Sequence, residues 1–501
     1  MKHVLFPGEM AAADHYTIRD LGVPGIELMA RAGSACVDIL HPRLQKSDSI
    51  MVIAGTGNNG GDAFVMATLL KKMGYQLSVL VFGSENKLKP DARTFYNAYR
   101  KTGGQLEFST EGLVLDLETT WIVDGLFGTG LNGTVRGPAA QWISAMNSSD
   151  ANVFSIDIPS GLLPGANPKL GVQADVCVTF HALKPAHVLS PGCFRCGDLF
   201  IANIGISSPP HFQPAIHYLE PSDFSMPVRE PDTHKGSFGT LAVLGGAKGM
   251  EGASALAGSA ALRMGAGKVR IYSENPNSPK FSTAALMVES WQGDFSKEPY
   301  HAWIVGPGMS KREDIHSLIA KANLADKPSL WDADGLNYLD SIFKHLPHGS
   351  WIMTPHPGEA ARLLAMTSGE VQQDRLAALK KLGEKYRGGW ILLKGARSMI
   401  LSPAGEIWVI ATGNPSLAVA GSGDVLAGMI GGLLSQGFSC RDALINGALR
   451  HGLAAENWVA KHADYAMIPE DIIEDLKNPV QVGGTSVPTI LGSRGVADFE
   501  K

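Results

Sequence analysis

The chain has few cysteines, few charges and no large excess of either sign. Five cysteines in 501 residues exclude a disulfide scaffold. Cys36, Cys177 and Cys440 stand alone, and Cys193 and Cys196 form one C-x-x-C without the second pair that a structural zinc site usually takes. Lys and Arg total 43 against 48 Asp and Glu, a net charge of −5. Binding a phosphate backbone needs a basic face, so nucleic acid is excluded as a main partner. Charged residues make up 18% and hydrophobic ones 45%, ample for large cores and wrong for disorder. The longest uncharged runs are broken by Pro, Asn and clustered Gly, so none predicts a membrane span. The opening MKHVLFPGEM holds an apolar stretch too short for a signal segment. These absences predict a cytoplasmic protein with no membrane partner.

Glycine is the abundant residue: 58 are present, where an average share of about 7% would give roughly 35. Their clustering beside apolar runs points to tight turns and close backbone approaches. At roughly 150 residues per domain, the length predicts two to three domains. Short β-rich runs alternate with helical patterns, which predicts α/β domains with mainly parallel sheets. In the first half, strands are expected at Ile50–Ala54, Leu77–Phe82, Trp121–Asp124, Val153–Asp157 and Val176–Phe180, with helices near Asp62–Met73 and Pro90–Lys101. Ser207–Lys235 is rich in Pro and loses all periodicity, so it reads as a linker. Alternation then resumes. Strands are expected at Thr240–Leu244, Lys268–Tyr272, Ala302–Val305, Ser329–Trp331, Ser350–Thr354 and Trp390–Leu393. Helices follow the pattern over Gly252–Met264, Asp424–Ser435 and Arg441–Val459; the first is so rich in Ala, Gly and Ser that another element must pack very close to it.

Three loops of the first half carry candidate chemistry. GTGNNGGD, Gly55–Asp62, follows a strand and opens a helix, where backbone N–H groups and the helix N-terminus can hold an anion. It has neither the Lys of a P-loop nor the spacing G-x-G-x-x-G. Asn58, Asn59 and Asp62 exceed what a turn needs. DGLFGTGLNGTVRGP, Asp124–Pro138, and SIDIPSGL, Ser155–Leu162, also follow strands, at the edge where open α/β sheets bind ligands. Asn59, Asp124 and Ser160 could supply oxygen ligands to a hard cation, which leaves Asp157 as the candidate acid–base group.

The second half has its own set. GPGM (Gly306–Met309), DADGLN (Asp332–Asn337), TPHPGE (Thr354–Glu359) and KGARS (Lys394–Ser398) each follow a strand. Asp334 is a capping or metal-water candidate, His356 between two prolines suits holding a substrate, and Lys394 suits a nucleotide phosphate. The strongest signal is GNPSLAVAGSGDVLAGMIGG, Gly413–Gly432. Gly421 and Gly423 allow an anion hole at a helix N-terminus, and Asp424 sits in the first turn beside it. Donors that neutralise a phosphoryl group, next to a carboxylate that takes a hydroxyl proton, are what phosphoryl transfer needs.

On these motifs the second half, from about Ser225 to Ile473, resembles the ribokinase-like superfamily. The wording HKGSFG, GGAKGMEGA, GAGKV, TPHPGE, KGARS and AGSGD is similar to its NAD(P)H-hydrate dehydratases. GTGNNGGD, DGLFGTGL and DIPSGL resemble the NAD(P)H-hydrate epimerase domain, and the order of the halves resembles that of the bacterial bifunctional NAD(P)H-hydrate repair family. The resemblance implies an N-terminal Rossmann-like three-layer α/β/α domain over 1–220, a C-terminal ribokinase-like α/β domain over 225–480, and a tail over 481–501. It implies a metabolite-repair enzyme, both isomerase and lyase. The first domain would interconvert (R)- and (S)-NAD(P)HX, and the second would dehydrate the S form with ADP, giving AMP and phosphate.

Carried over by motif, Asn58, Asn59, Gly60, Gly61, Asp62, Gly128, Thr129, Gly130, Leu131, Asn132, Gly133, Thr134 and Asp157 would line the epimerase substrate site. Asn59, Asp124 and Ser160 would hold K⁺. Ala253, Gly308, His356 and Asp424 would contact the dehydratase substrate, with Asp424 catalytic like Asp157. Lys394, Gly395, Ala396, Arg397, Ser398 and Gly423 would bind ADP or AMP, with Mg²⁺ accompanying the nucleotide. The implied partners are NADHX, NADPHX and ADP, and the implied assembly is a homo-oligomer of four chains or more. The family's early helix commonly reads LME-x-AG, whereas Leu28–Gly33 here reads LMARAG. Two rivals remain at this level. One is a ribokinase-like small-molecule kinase fused to a nucleotide-binding domain, which would keep the phosphate on its substrate. The other is a non-enzymatic scaffold, against which the intact Asn59, Asp124, Asp157 and Ser160 argue.

Overall fold

The computed structural model describes residues 1–113, 115–116, 118–131, 133–163, 170–296, 299–311, 314–322, 324, 327–480 and 486–491. They divide into two compact units, one formed within 2–214 and 486–501, the other within 215–485. Among the described residues, no helix is long and apolar enough to cross a membrane.

The first unit carries β1 (Ser49–Ala54), β2 (Gln76–Phe82), β3 (Leu106–Ser109), β4 (Trp121–Gly125), β5 (Asn152–Ile156), β6 (Val176–Phe180) and β7 (Asp198–Asn203). Their order in the sheet is β7-β6-β5-β4-β1-β2-β3, and every neighbouring pair is parallel. The chain runs outward from β1 in one direction and outward from β4 in the other. The carboxyl ends of β1 and β4 therefore flank the point where strand order reverses, the place where open α/β sheets leave a crevice. Ala54 lies level with Gly125, and Asp124 with Ser155, so the loops that follow emerge side by side.

Parallel strands are buried on both faces, and β1 shows why. Ile50, Val52 and Ala54 join one core with helices α1 (Gly25–Leu40), α2 (Asn58–Lys72) and α3 (Pro90–Lys101), while Met51 and Ile53 join another with α4 (Pro138–Asn147). This is a three-layer α/β/α arrangement. The stretch expected to be a C-terminal tail contributes strand Thr489–Leu491, which pairs in parallel with β7 of this same sheet.

The second unit carries β8 (Ile216–Leu219), β9 (Thr240–Leu244), β10 (Lys268–Ser273), β11 (Leu286–Ser290), β12 (Ala302–Val305), β13 (Ser329–Trp331), β14 (Trp351–Met353), β15 (Trp390–Leu393), β16 (Met399–Leu401) and β17 (Ile407–Ile410). They stand in the order β8-β17-β16-β15-β14-β13-β12-β9-β10-β11. Only β15–β16 and β16–β17 are antiparallel. β8 lies inside the proline-rich stretch expected to be a linker. It pairs in parallel with β17, so hydrogen bonding to a neighbour, not periodicity, makes it a strand. Val305, Trp331 and Met353 are level across β12–β14, which brings the loops beginning at Gly306, Asp332 and Thr354 to one edge.

The main helices here are α5 (Glu251–Arg263), α6 (Pro357–Leu364), α7 (Arg375–Lys385), α8 (Ser422–Ser435) and α9 (Cys440–Val459). The element that packs close to small-residue α5 is α8: a Cβ at Gly428 would lie 2.1 Å from the Ala257 carbonyl oxygen. Backbone meets backbone midway along α8.

Candidate active sites

In the first unit the glycine-rich loop turns from β1 into α2 with almost no free space. A Cβ at Gly60 would lie 1.8 Å from the Gly55 carbonyl oxygen, so only glycine closes this turn. That closure places Asn59 against the loop after β4. Its Nδ2 donates to the Phe127 carbonyl at 3.1 Å, and Gly128 packs on its amide. Asp124 is fully buried and accepts four hydrogen bonds: from Ser155 Oγ (2.9 Å), Ser160 N–H (2.9 Å), Ser160 Oγ (2.6 Å) and Leu126 N–H (3.3 Å). Burial raises its carboxyl and those four bonds oppose the rise. Ser160 Oγ also accepts from the Phe127 N–H at 2.8 Å. Asn59 and Ser160 thus meet at the Phe127 peptide, and Asp124 joins them through Ser160. Thr129 and Leu131 are half-buried beyond it, Gly130, Gly133 and Thr134 are exposed, and Asn132 lies outside the described residues.

Asp157 follows β5 with φ 62°, a left-handed conformation that an aspartate tolerates better than most residues. Its Oδ1 accepts from Lys184 Nζ at 2.7 Å and from Thr179 Oγ1 at 3.1 Å. Burial, the largest influence, works to raise its carboxyl, but Lys184, His187 and Thr179 together hold it below the ordinary value. Asp62 moves the opposite way: burial first, then the charges of Asp157 and Asp14, push it well up. Asp14 rises to about 6, chiefly by burial. Ala30, where the family's helix carries an acid, is fully buried in α1 and brings no polar group.

In the second unit the loops after β12 to β15 meet the start of α8. Gly421 at φ 93° caps α8, a backbone that a side chain would strain. Asp424 stands half-buried in the first turn. Gly423 faces Lys394, whose Nζ would lie 3.3 Å from a Cβ there. Lys394 does not project freely: Nζ bonds Asp332 Oδ1 at 2.6 Å and lies 3.9 Å from Glu359 Oε2. Asp332, 1% exposed, also accepts from Thr354 Oγ1 at 2.8 Å. Burial first, then the neighbouring charge of Asp332, raise the Asp424 carboxyl to about 7.

His356 caps α6. Its Nδ1 accepts from the N–H of Gly358 at 3.0 Å and of Glu359 at 3.3 Å, which leaves the ring proton on the exposed Nε2 side. Gly308 packs on the start of α5, its Cβ position 3.1 Å from that of Ala253. Asp334 accepts from the Ser310 N–H at 2.8 Å. In KGARS, buried Arg375 of α7 donates to the carbonyls of Lys394 (3.2 Å) and Ala396 and packs beneath Gly395. Ser398 Oγ donates to the Gly395 carbonyl at 2.9 Å, while Arg397 turns to Tyr218 Oη at 3.0 Å.

The expected residues therefore fall into two clusters. Residues not singled out from sequence also occupy them: Lys184, Thr179 and His187 in the first, Asp332, Glu359 and Arg375 in the second. Asp332 and Glu359 lay inside quoted motifs. Lys184 follows the ordinary run VTFHAL and had no such signal. Cys193 and Cys196 are free thiols, and among the described residues no cluster of three or more His, Cys, Asp or Glu could hold a metal ion.

Two family models match the chain: NAD(P)H-hydrate dehydratase over residues 241–478 and YjeF-related protein N-terminus over residues 25–186. The bifunctional NAD(P)H-hydrate repair enzyme Nnr of Escherichia coli is 36% identical over 94% of this chain and 92% of its own length. Its namesake from Coxiella burnetii is 34% identical over 91% of this chain and 95% of its own. A crystal structure of an ADP/ATP-dependent NAD(P)H-hydrate dehydratase from Bacillus subtilis, co-crystallised with ATP and Mg²⁺, is 30% identical over 50% of this chain and 92% of that one, with a TM-score of 0.44.

Proposed function

The chain belongs to the family of bifunctional NAD(P)H-hydrate repair enzymes, and from that premise we propose how its two units divide the work. It is an enzyme with an epimerase half and a ribokinase-like dehydratase half: (R)- and (S)-NAD(P)HX are interconverted, and the S form is dehydrated to NAD(P)H. In the epimerase unit, the loops Asn58–Asp62 and Gly128–Thr134 hold the dinucleotide, and Asp157 is the acid–base group. Inversion at the hydroxyl-bearing ring carbon requires the hydroxyl to leave as water and water to return on the other face. A carboxylate takes the proton of the incoming water, and its acid form returns one to the departing hydroxyl.

Asn59, Asp124 and Ser160 offer an amide, a carboxylate and a hydroxyl oxygen. One negative charge among neutral oxygens suits a monovalent hard cation such as K⁺ better than a divalent one. Bound there, K⁺ would supply fixed positive charge beside the substrate loops.

In the dehydratase unit, Asp424 takes the proton of the substrate hydroxyl as its oxygen attacks the terminal phosphorus of ADP, and AMP leaves. Phosphate then departs from the ring carbon, the neighbouring carbon loses a proton, and the dihydronicotinamide re-forms. The N-terminus of α8 with Gly423, and Lys394–Ser398, hold the nucleotide; Ala253, Gly308 and His356 hold the substrate. Mg²⁺ bound with the nucleotide would neutralise charge on the transferring phosphoryl. The observation that carries this reading is Asp424, a carboxyl near 7 in the first turn of α8, facing Lys394 across Gly423.

The test follows reduced-nicotinamide absorbance from an R/S mixture of NADPH hydrate with ADP, Mg²⁺ and K⁺. Wild type should recover all of it with one AMP per NADPH. Asp424→Asn should abolish recovery yet leave epimerisation. Asp157→Asn should recover only the S fraction beyond the uncatalysed exchange. Phosphate retained on the organic product would favour a kinase instead. Light scattering tests the proposed assembly of four chains or more, and fractionation the cytoplasmic location.

A further inference from the structure

The tightest polar cluster of the first unit lies beneath Asp157, away from the glycine-rich loops. Lys184, 1% exposed, gives its ammonium to three acceptors: Asp157 Oδ1 (2.7 Å), Thr179 Oγ1 (2.7 Å) and the Phe180 carbonyl (2.9 Å). Its three hydrogens are thereby used. Thr179 accepts from it and passes its own hydroxyl hydrogen to Asp157 Oδ1, closing a triangle. The backbone is held as well. The Lys184 N–H donates to His187 Nδ1 at 3.0 Å, so the ring proton sits on Nε2, which donates to the Asp157 carbonyl at 2.8 Å. Both side-chain bonds fall on Oδ1, and Oδ2 accepts none from the described residues.

A buried ion pair can be a plain element of the fold. Two features argue for more here. The left-handed backbone of Asp157 is strained and persists only where its surroundings over-determine it, as His187 and Lys184 do. The bonding is also one-sided, saturating one carboxylate oxygen and sparing the other. We propose that Lys184, Thr179 and His187 are positioning residues of the epimerase, which fix the turn of Asp157 and occupy its Oδ1 so that Oδ2 is the oxygen that exchanges protons at the reacting ring. This rests on the reading that Asp157 is the acid–base group. Lys184 is too buried to reach substrate and acts through Asp157.

The titratable groups around Asp157 are Asp14, Asp62 from α2, Cys36 from α1, Cys177 from β6, Lys184 and His187. Asp14 and Asp62 are both pushed up, whereas Asp157, beside Lys184, is held down.

The test is the pH profile of R-to-S exchange, above the uncatalysed rate, for the full chain. Lys184→Met should move the acid limb of kcat/KM up by about one to two pH units. It should lower kcat at pH 7 at least about tenfold and leave KM nearly unchanged. Lys184→Arg should restore the limb in part, and Thr179→Val should shift it less, in the same direction. A folded Lys184→Met with an unmoved limb overturns the proposal. If that variant does not fold, an unmoved limb in Thr179→Val overturns it. Asp157→Asn separates the two ideas: wild-type exchange in that variant would sink the acid–base assignment itself, whatever Lys184 does.

Discussion

Replacing Asp332 by Asn should move the pH dependence of dehydration in a direction that chemical intuition about a lost charge does not suggest. Asp332 is buried, bonded at 2.6 Å to Lys394 and at 2.8 Å to Thr354. Asn preserves the shape and the threonine bond and removes the charge. Deleting one partner of a buried pair costs on the order of 3–5 kcal/mol. The low end is expected, because Glu359 stands 3.9 Å from Lys394 Nζ and can receive the ammonium. The larger effect falls on Asp424. Its carboxyl is at about 7 because of burial first and the Asp332 charge second. Removing a like charge lowers such a group by about one to two units. Asp424 works ionised, so the rate climbs as pH rises through its value. The acid limb of kcat/KM should therefore shift down by that amount, and at pH 6 the variant should keep a larger share of its own maximum than wild type does. Initial rates on (S)-NADPHX between pH 5 and 9 measure this. A limb that stays near 7 or moves up would refute the electrostatic account of Asp424.

The same carboxyl makes a prediction about stability. Its folded value, about 7, lies above the ordinary 3.8, so ionising it costs the folded state. That cost grows as pH rises above about 4 and is complete above about 7. Asp424→Asn should accordingly raise the melting temperature more at pH 8 than at pH 5; equal shifts at both would contradict it. Gly60→Ala should unfold or displace the turn after β1, since the new carbon would lie 1.8 Å from a carbonyl oxygen with no flexible side chain to yield. A loss of about 3 kcal/mol or more and of all epimerisation is expected, read by denaturant unfolding and R/S exchange.

Much of the architecture was legible because parallel strands buried on both faces write continuous apolar runs. IMVIA, VCVTF and TLAVL each became a strand close to where the pattern placed it. Strands that depend on a neighbour did not show. β8 lies among prolines, and Thr489–Leu491 follows a stretch with no periodicity; each is a strand through pairing with β17 or β7. Asp124, Asn59 and Ser160 were legible because loops after adjacent parallel strands must emerge together. Lys184 was not: a lysine in a β-to-helix connection usually points to water, and nothing in HALKP tells that this one folds back under Asp157.

Each unit sets a lysine against aspartates at a strand edge, and the placement of the lysine helps to set what the aspartate becomes. Lys184 bonds Asp157 directly, and with His187 and Thr179 it overcomes burial, so the carboxyl is held low. Lys394, beside Gly423 of α8, bonds Asp332 instead and shares its charge there. Burial first, then the charges of Asp332, Glu359 and Asp334, with only part of the cation to offset them, raise the Asp424 carboxyl to about 7. A group that must take a hydroxyl proton and give it up within one turnover works best near the ambient pH. Asp157, held low, stands ionised and ready to take the proton of the incoming water. Burial pushes both carboxyls up, and a lysine bonded directly to Asp157 but to a neighbour of Asp424 helps to set them apart.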